Sequence, residues 1–200
     1  MSIHDRVSLA GKVALVTAGA CGIGRAIVEA YADLGASLVV ADIDPAKASA
    51  VREELAARGV DAWVSVTDVR DAGQVAALLQ GVAERWGRLD VLVNNAGHHL
   101  GVFRKLEDLS DQELDDQYQI NLRHLYVVTR AAIPVMRRSG AGGSIINVSS
   151  IEGFRGSPYN VAYTACKHAV TGFTRAMALE LSPDNIRVNT IAPETTDTEQ

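Results

Sequence analysis

Cysteine is scarce in this chain of 200 residues: only Cys21 and Cys166 occur. Two such distant thiols build neither a disulfide framework nor a metal-ligand cluster, so no metal is expected. Positive charge is in deficit as well, with 19 Lys+Arg against 24 Asp+Glu and a formal net charge of −5. Nucleic-acid binding, which needs a basic stripe to neutralise phosphates, is thereby disfavoured. Long hydrophobic runs are missing, and none approaches the roughly 18 residues of a membrane span. The opening Met1-Ser2-Ile3-His4-Asp5-Arg6 lacks the apolar core of a signal peptide. A cytoplasmic protein with no membrane partner is expected. What remains is an ordinary globular composition, 48% apolar and 22% charged, unlike that of collagenous, disordered or coiled-coil chains. The length suits a single domain over residues 1–200 with a large core.

Short apolar, β-branched runs alternate with longer amphipathic stretches. Strands are predicted at Val13–Thr17, Ser37–Ala41, Ala62–Val66, Leu89–Val93, Ser144–Val148 and Arg187–Ile191. Helices are predicted at about 22–34, from Pro45 to Gly59, and at about 72–86, 111–138 and 160–181. Strands apolar on both faces and separated by helices form a parallel sheet covered on both sides. The right-handed crossover rule then gives an α/β, doubly wound parallel sheet, a Rossmann fold with strand order 3-2-1-4-5-6.

The first strand runs into Thr17-Ala18-Gly19-Ala20-Cys21-Gly22-Ile23-Gly24 and then a helix. Glycines here let the backbone turn and approach a pyrophosphate placed at the positive end of that helix. The pattern has weight only with a strand before, a helix after and an acid about 20 residues on. The acid is Asp42, 18 residues after Gly24 and at the end of the second strand. Its carboxylate suits the two ribose hydroxyls of NAD(H) and would repel a 2′-phosphate. Ala20, Cys21 and Ile43 supply no cation to offset that repulsion, so NAD(H) is expected as cofactor.

Tyr163-Thr164-Ala165-Cys166-Lys167 falls within a predicted helix. The i, i+4 spacing puts phenol and ammonium on one face. A nearby cation favours phenolate, so the tyrosine pKa is expected to fall toward the working range of a general acid/base.

With these features the chain resembles the short-chain dehydrogenase/reductase family from about Ala10 to Thr198. The family's Thr-Gly-x-x-x-Gly-x-Gly maps onto Thr17, Ala18, Gly22 and Gly24, and its Asn-Asn-Ala-Gly onto Asn94, Asn95, Ala96 and Gly97. Its adenine-side Asp matches Asp68, followed by Val69, and its helix asparagine matches Asn121. The serine 13 residues before the tyrosine is Ser150 rather than Ser149. The segment over the nicotinamide matches Pro193 and Thr198.

This resemblance implies a catalytic set of Asn121, Ser150, Tyr163 and Lys167. Ser150 would hold the substrate oxygen, Tyr163 would move its proton, Lys167 would hold the nicotinamide ribose, and Asn121 would position a relaying water. Implied cofactor contacts run through Thr17, Gly19, Cys21, Gly22, Ile23 and Gly24. They continue at Asp42, Ile43, Asp68, Val69, Asn95, Ala96 and Gly97, and close at Tyr163, Lys167, Pro193, Thr196 and Thr198. His99 and Glu152 join Ser150 and Tyr163 as expected contacts for a small-molecule substrate, and Cys21 is expected as a small buried filler.

Two departures stand out. Ala18 replaces a motif glycine, acceptable if its φ is negative, and Glu194 replaces the glycine after Pro193. Family members run longer, so the chain is expected to continue into a lid, a further helix and a seventh strand. Without them the sixth strand would leave an exposed sheet edge. The helices near 111–138 and 160–181 are those through which family members pair, so a homodimer or homotetramer is expected. Small residues Ala162, Cys166, Ala169 and Gly172 line the second of them.

The expected activity is hydride transfer between NAD(H) and a secondary alcohol or ketone. Two other readings stay open at this point. An NADPH-dependent reductase of 3-oxoacyl thioesters is opposed by Asp42. A non-catalytic NAD(H)-binding regulator is opposed by the complete acid/base set.

Overall fold

A computed structural model describes residues 7–196. Its six strands form one parallel sheet in the order β3-β2-β1-β4-β5-β6. They are β1 (Val13–Thr17), β2 (Ser37–Asp42), β3 (Ala62–Val66), β4 (Val91–Asn94), β5 (Gly143–Val148) and β6 (Ile186–Ile191). Side chains alternate across the sheet, so each central strand feeds two cores. Ala14 and Val16 pack with Val28 of α1 (Gly22–Asp33) and with Ala48, Val51 and Leu55 of α2 (Pro45–Ala57). Val13 and Leu15 turn the other way, toward Val75, Leu78 and Val82 of α3 (Ala72–Trp86). The fold and strand order expected from the sequence are the ones observed.

The fourth strand starts at Val91 rather than Leu89. Asp90 ahead of it spends its side chain on the start of β1, accepting the Val13 N–H at 2.9 Å, and on Arg88. The larger correction concerns the helix expected over 111–138. It is two helices, α4 (Asp111–Tyr118) and α5 (His124–Arg138), joined by a π turn at Gln119–Arg123. The acid-rich stretch before it is a helix start: Ser110 and Glu113 form a reciprocal capping box. The last long helix, α6 (Val161–Glu180), and the preceding Ile151–Gly153 turn complete the elements around the C-terminal ends of β4 and β5.

Ala18 has φ +49, in the left-handed region, so the condition under which alanine is free of cost is not met. A non-glycine residue there carries about 1–2 kcal/mol of strain. Ala18→Gly should therefore raise the thermal midpoint by a few degrees, because relief of strain outweighs the greater unfolded-state entropy of glycine. Differential scanning calorimetry checks this; an unchanged or lower midpoint would show that the loop absorbs the strain elsewhere.

Candidate active site

The glycine loop is held from three sides. Asn95 Nδ2 donates to the carbonyls of Thr17 and Ala18, at 3.1 and 3.0 Å. Thr17 Oγ1 accepts the N–H groups of Asn95 and Ala96. Asp42 is buried, and its two oxygens accept the N–H groups of Ala20 (2.9 Å) and Asp44 (3.0 Å). The sequence assigned Asp42 to a ribose; the structure adds that it also shapes the loop. Gly24 is dictated by closeness, since a Cβ there would lie 2.1 Å from the Ala18 carbonyl oxygen. Cys21, at the N-cap of α1, gives the helix no side-chain acceptor, which leaves the first-turn N–H groups without a side-chain cap, as an anion site requires. Cys21 is half-buried and lines the cleft, so it is not the buried filler expected.

Two cavities meet above this loop. One, about 510 Å³, is lined by Cys21, Gly22, Ile23, Asn95, Ser150, Tyr163, Lys167, Pro193 and Thr196, among others. The other, about 390 Å³, is lined by Asp42, Ile43, Thr67, Val69, Arg70 and Ala96, among others. Ala18, Gly97 and His98 line both, so the two cavities adjoin. Gly97 keeps the passage narrow-walled: a Cβ there would stand 2.9 Å from Lys167 Nζ and 3.2 Å from Asn121 Oδ1.

Asp68, the expected adenine-side residue, is paired with a base in this structure. Its carboxylate is forked by Arg70, with bonds of 2.9, 3.0 and 2.7 Å, and that pairing holds it below the usual carboxylate range. Arg70 is the member of the pair that lines the cavity. Sequence reasoning passed over Arg70; the only signal was a base two residues beyond Asp68.

At the other end, Ser150, Tyr163 and Lys167 converge. The Ser150 hydroxyl accepts the Glu152 N–H at 3.2 Å and bonds the Tyr163 phenol. Ser149 is buried and donates to the Lys167 carbonyl at 3.0 Å, which leaves Ser150 as the serine facing Tyr163. Lys167 is buried, donates from Nζ to the Val148 carbonyl at 3.1 Å, and is pushed down to about 8 by burial. Its ammonium stands over the Tyr163 ring, 5.4 Å from the centroid.

The expected fall in the Tyr163 pKa is not what this geometry gives. Burial pushes the phenol up, the Ser150 hydrogen bond opposes it, and the Glu152 charge pushes it further up. The ammonium lies against the ring face and is spent on a carbonyl rather than on the phenol oxygen.

Asn121 sits in the π turn, fully buried, and clamps the loop that follows β4. Its Oδ1 accepts the His98 N–H, and its Nδ2 donates to the His98 carbonyl and to Gln117. His99 lines the cleft beside Tyr163. Glu152 does not: one oxygen faces Arg155 at 3.5 Å and the other is buried with no partner among the described residues. Arg155 also reaches Glu194, at 3.2 Å, so the Ile151–Gly153 turn and the strand-six loop are tied by charge as well as by the Ile151 N–H to Pro193 carbonyl bond. Thr196 donates its hydroxyl to the Glu194 carbonyl. Thr198 lies outside the described residues.

A family model described as short chain dehydrogenase matches residues 12–200. The chain is 39% identical over 187 residues to Oxidoreductase UcpA of Escherichia coli (strain K12), covering 92% of this chain and 69% of that protein. It is 40% identical over 184 residues to L-fucose dehydrogenase of Bos taurus, covering 92% and 66% respectively. Among solved structures, carveol dehydrogenase from Mycobacterium avium in complex with NAD superposes with a TM-score of 0.89 at 32% identity, over 92% of this chain and 71% of that one. The chain thus spans about two thirds of the length of these relatives.

Proposed function

The chain belongs to the short chain dehydrogenase family, and from that premise we propose that it is an NAD(H)-dependent oxidoreductase acting on secondary alcohols and ketones. The observation that carries this reading is one cleft that holds Ser150, Tyr163 and Lys167 at one end and continues past Gly97 to Asp42 at the other. Its walls suit a dinucleotide: N–H groups at the start of α1 for the pyrophosphate, a carboxylate for a ribose, and apolar Ile43 and Val69 for a base. The nicotinamide, when bound, supplies hydride chemistry at C4.

The chain's own groups do the rest. Ser150 orients the substrate oxygen. Tyr163 takes its proton in oxidation and returns it in reduction. Lys167, titrating near 8 because it is buried, exchanges that proton and holds the adjacent ribose. Asn121 keeps the His98 loop against Lys167 and would position the water that carries protons outward. The NAD complex of the carveol dehydrogenase supports the cofactor assignment.

A homodimer or homotetramer built on α5 and α6 belongs to the same reading. Tyr126 is exposed there and packs edge-to-face with Phe173 at a centroid separation of 5.0 Å, beside a surface groove of about 620 Å³. Among the described residues no helix is long and apolar enough to cross a membrane, and Cys21 and Cys166 are both free thiols. We take the cytoplasm as the site of action.

The test is initial-rate formation of reduced cofactor from NAD⁺ and NADP⁺ in parallel, over steroids, cyclic alcohols, polyols and 3-hydroxyacyl thioesters. NAD⁺ is expected to be preferred. Asp42→Asn, which removes charge but keeps an acceptor for the glycine loop, should lower the NAD⁺:NADP⁺ ratio of kcat/KM by about ten- to a hundredfold. Wild-type preference for NADP⁺ would overturn the cofactor assignment, and silence with every alcohol would favour the regulator.

A further inference from the structure

His99 is a constrained side chain in the cleft that the proton-transfer scheme leaves unused. Its backbone is clamped: Asn121 bonds both main-chain groups of His98, and Gln117 Nε2 donates to the His99 carbonyl at 2.6 Å. Its ring stacks on His98 at 4.7 Å and lies 4.9 Å from the ring of Phe103. The Gly101 N–H donates to His99 Nδ1 at 3.0 Å. A ring nitrogen that accepts a hydrogen bond carries no hydrogen, so the neutral imidazole bears it on Nε2. Burial, with the neighbouring His98, favours that neutral form. The side chain therefore presents a fixed donor, and its ring stands edge-to-face with Tyr163 at a centroid separation of 6.5 Å.

Resting on the reading of Tyr163 as the proton-transfer residue, we propose that His99 recognises a second oxygen of the substrate and selects vicinal diols of the cyclic-polyol or sugar class. Tyr163 and Ser150 engage the reacting carbinol. With the His99 and Tyr163 rings 6.5 Å apart between centroids, a donor on the neighbouring wall calls for a substrate acceptor close to the reacting carbinol, which a hydroxyl on the adjacent carbon supplies. The same cleft is lined by the polar residues Glu194, Thr195 and Thr196. Oxidation of such a diol sends the carbinol hydride to NAD⁺ and the hydroxyl proton to Tyr163, giving an α-hydroxyketone, NADH and a released proton.

The experiment compares cis- and trans-cyclohexane-1,2-diol with cyclohexanol, using NAD⁺ and the full-length wild type, His99→Phe and His99→Gln. Wild type should favour at least one diol about tenfold or more in kcat/KM. His99→Phe, which keeps an aromatic ring against Phe103, should bring the diol:mono-alcohol ratio to near one, and the donor-bearing glutamine should restore part of it. A ratio near one in wild type, or a ratio unchanged in His99→Phe, overturns the proposal. Should no alcohol be oxidised, the dehydrogenase reading fails, and calorimetry on the NADH complexes decides the His99 assignment independently. Tighter diol binding only where residue 99 carries a donor supports it; equal affinities for diol and mono-alcohol in wild type overturn it.

Discussion

Tyr163→Phe should lower kcat by at least about 10³-fold while the affinity for NADH, read by fluorescence titration, stays within about twofold. General acid/base groups contribute about 10²–10⁴-fold, and this phenol is the proposed route for the substrate proton. Among the described residues the phenol is tied to the Ser150 hydroxyl, and the ring remains in phenylalanine to face Lys167. Alcohol oxidation needs the deprotonated phenol, so wild-type turnover should rise with pH. In the chain by itself that group is raised by burial, opposed by Ser150 and raised again by Glu152. The bound oxidised nicotinamide is cationic and favours phenolate. The limb should therefore lie lower when followed through kcat/KM for the alcohol in the NAD⁺ complex than when phenolate absorbance is titrated in the free protein. Residual turnover within tenfold of wild type in Tyr163→Phe would remove Tyr163 from the mechanism. Unchanged nucleotide binding with no wild-type turnover at all would favour the regulator.

The parts of this site that were legible in the sequence are those set by local rules. Val13–Thr17 is buried at every position because both sheet faces are covered, and its run of apolar residues ahead of Thr17 let the strand and its glycine turn be read directly. Gly24 and Gly97 are glycines because other groups come too close for a Cβ. The misreadings share another cause: each depends on which partner a side chain turns toward, near or far in sequence, and spacing alone does not encode that. Gln119-Ile120-Asn121 continues a helical pattern, yet the helix widens where Asn121 bonds His98, 23 residues earlier. Glu152 was placed toward substrate from its position after Ser150; in the structure it is not among the cleft-lining residues, and one of its oxygens lies 3.5 Å from Arg155. The Tyr163–Lys167 spacing put both groups on one face without revealing that the ammonium is aimed at Val148. Arg70 went unremarked because its salt bridge with Asp68 is a matter of rotamers, which spacing does not encode.

His124 was likewise invisible in the sequence, and it sets the expected response of the fold to acid. It is fully buried on α5, three residues beyond Asn121, and neither ring nitrogen has a partner among the described residues. Burial, with a smaller contribution from the Lys167 charge, pushes it down to about 3. The unfolded chain titrates this group near 6.5. Between those values the unfolded state binds the extra proton, so stability rises with pH across the window and is lost as pH falls toward 3. At pH 4.5 the loss from this one group is about 3 kcal/mol, a large share of the 5–15 kcal/mol typical of a domain. Urea unfolding at pH 7.5 and 4.5, on wild type and His124→Leu, isolates it because other titrating groups act alike in both. The difference between the two pH values should be about 3 kcal/mol smaller in His124→Leu, and equal losses would show that His124 is protonated or solvated in the native state. At neutral pH the leucine should cost little, because it replaces a ring whose polar atoms are buried without partners.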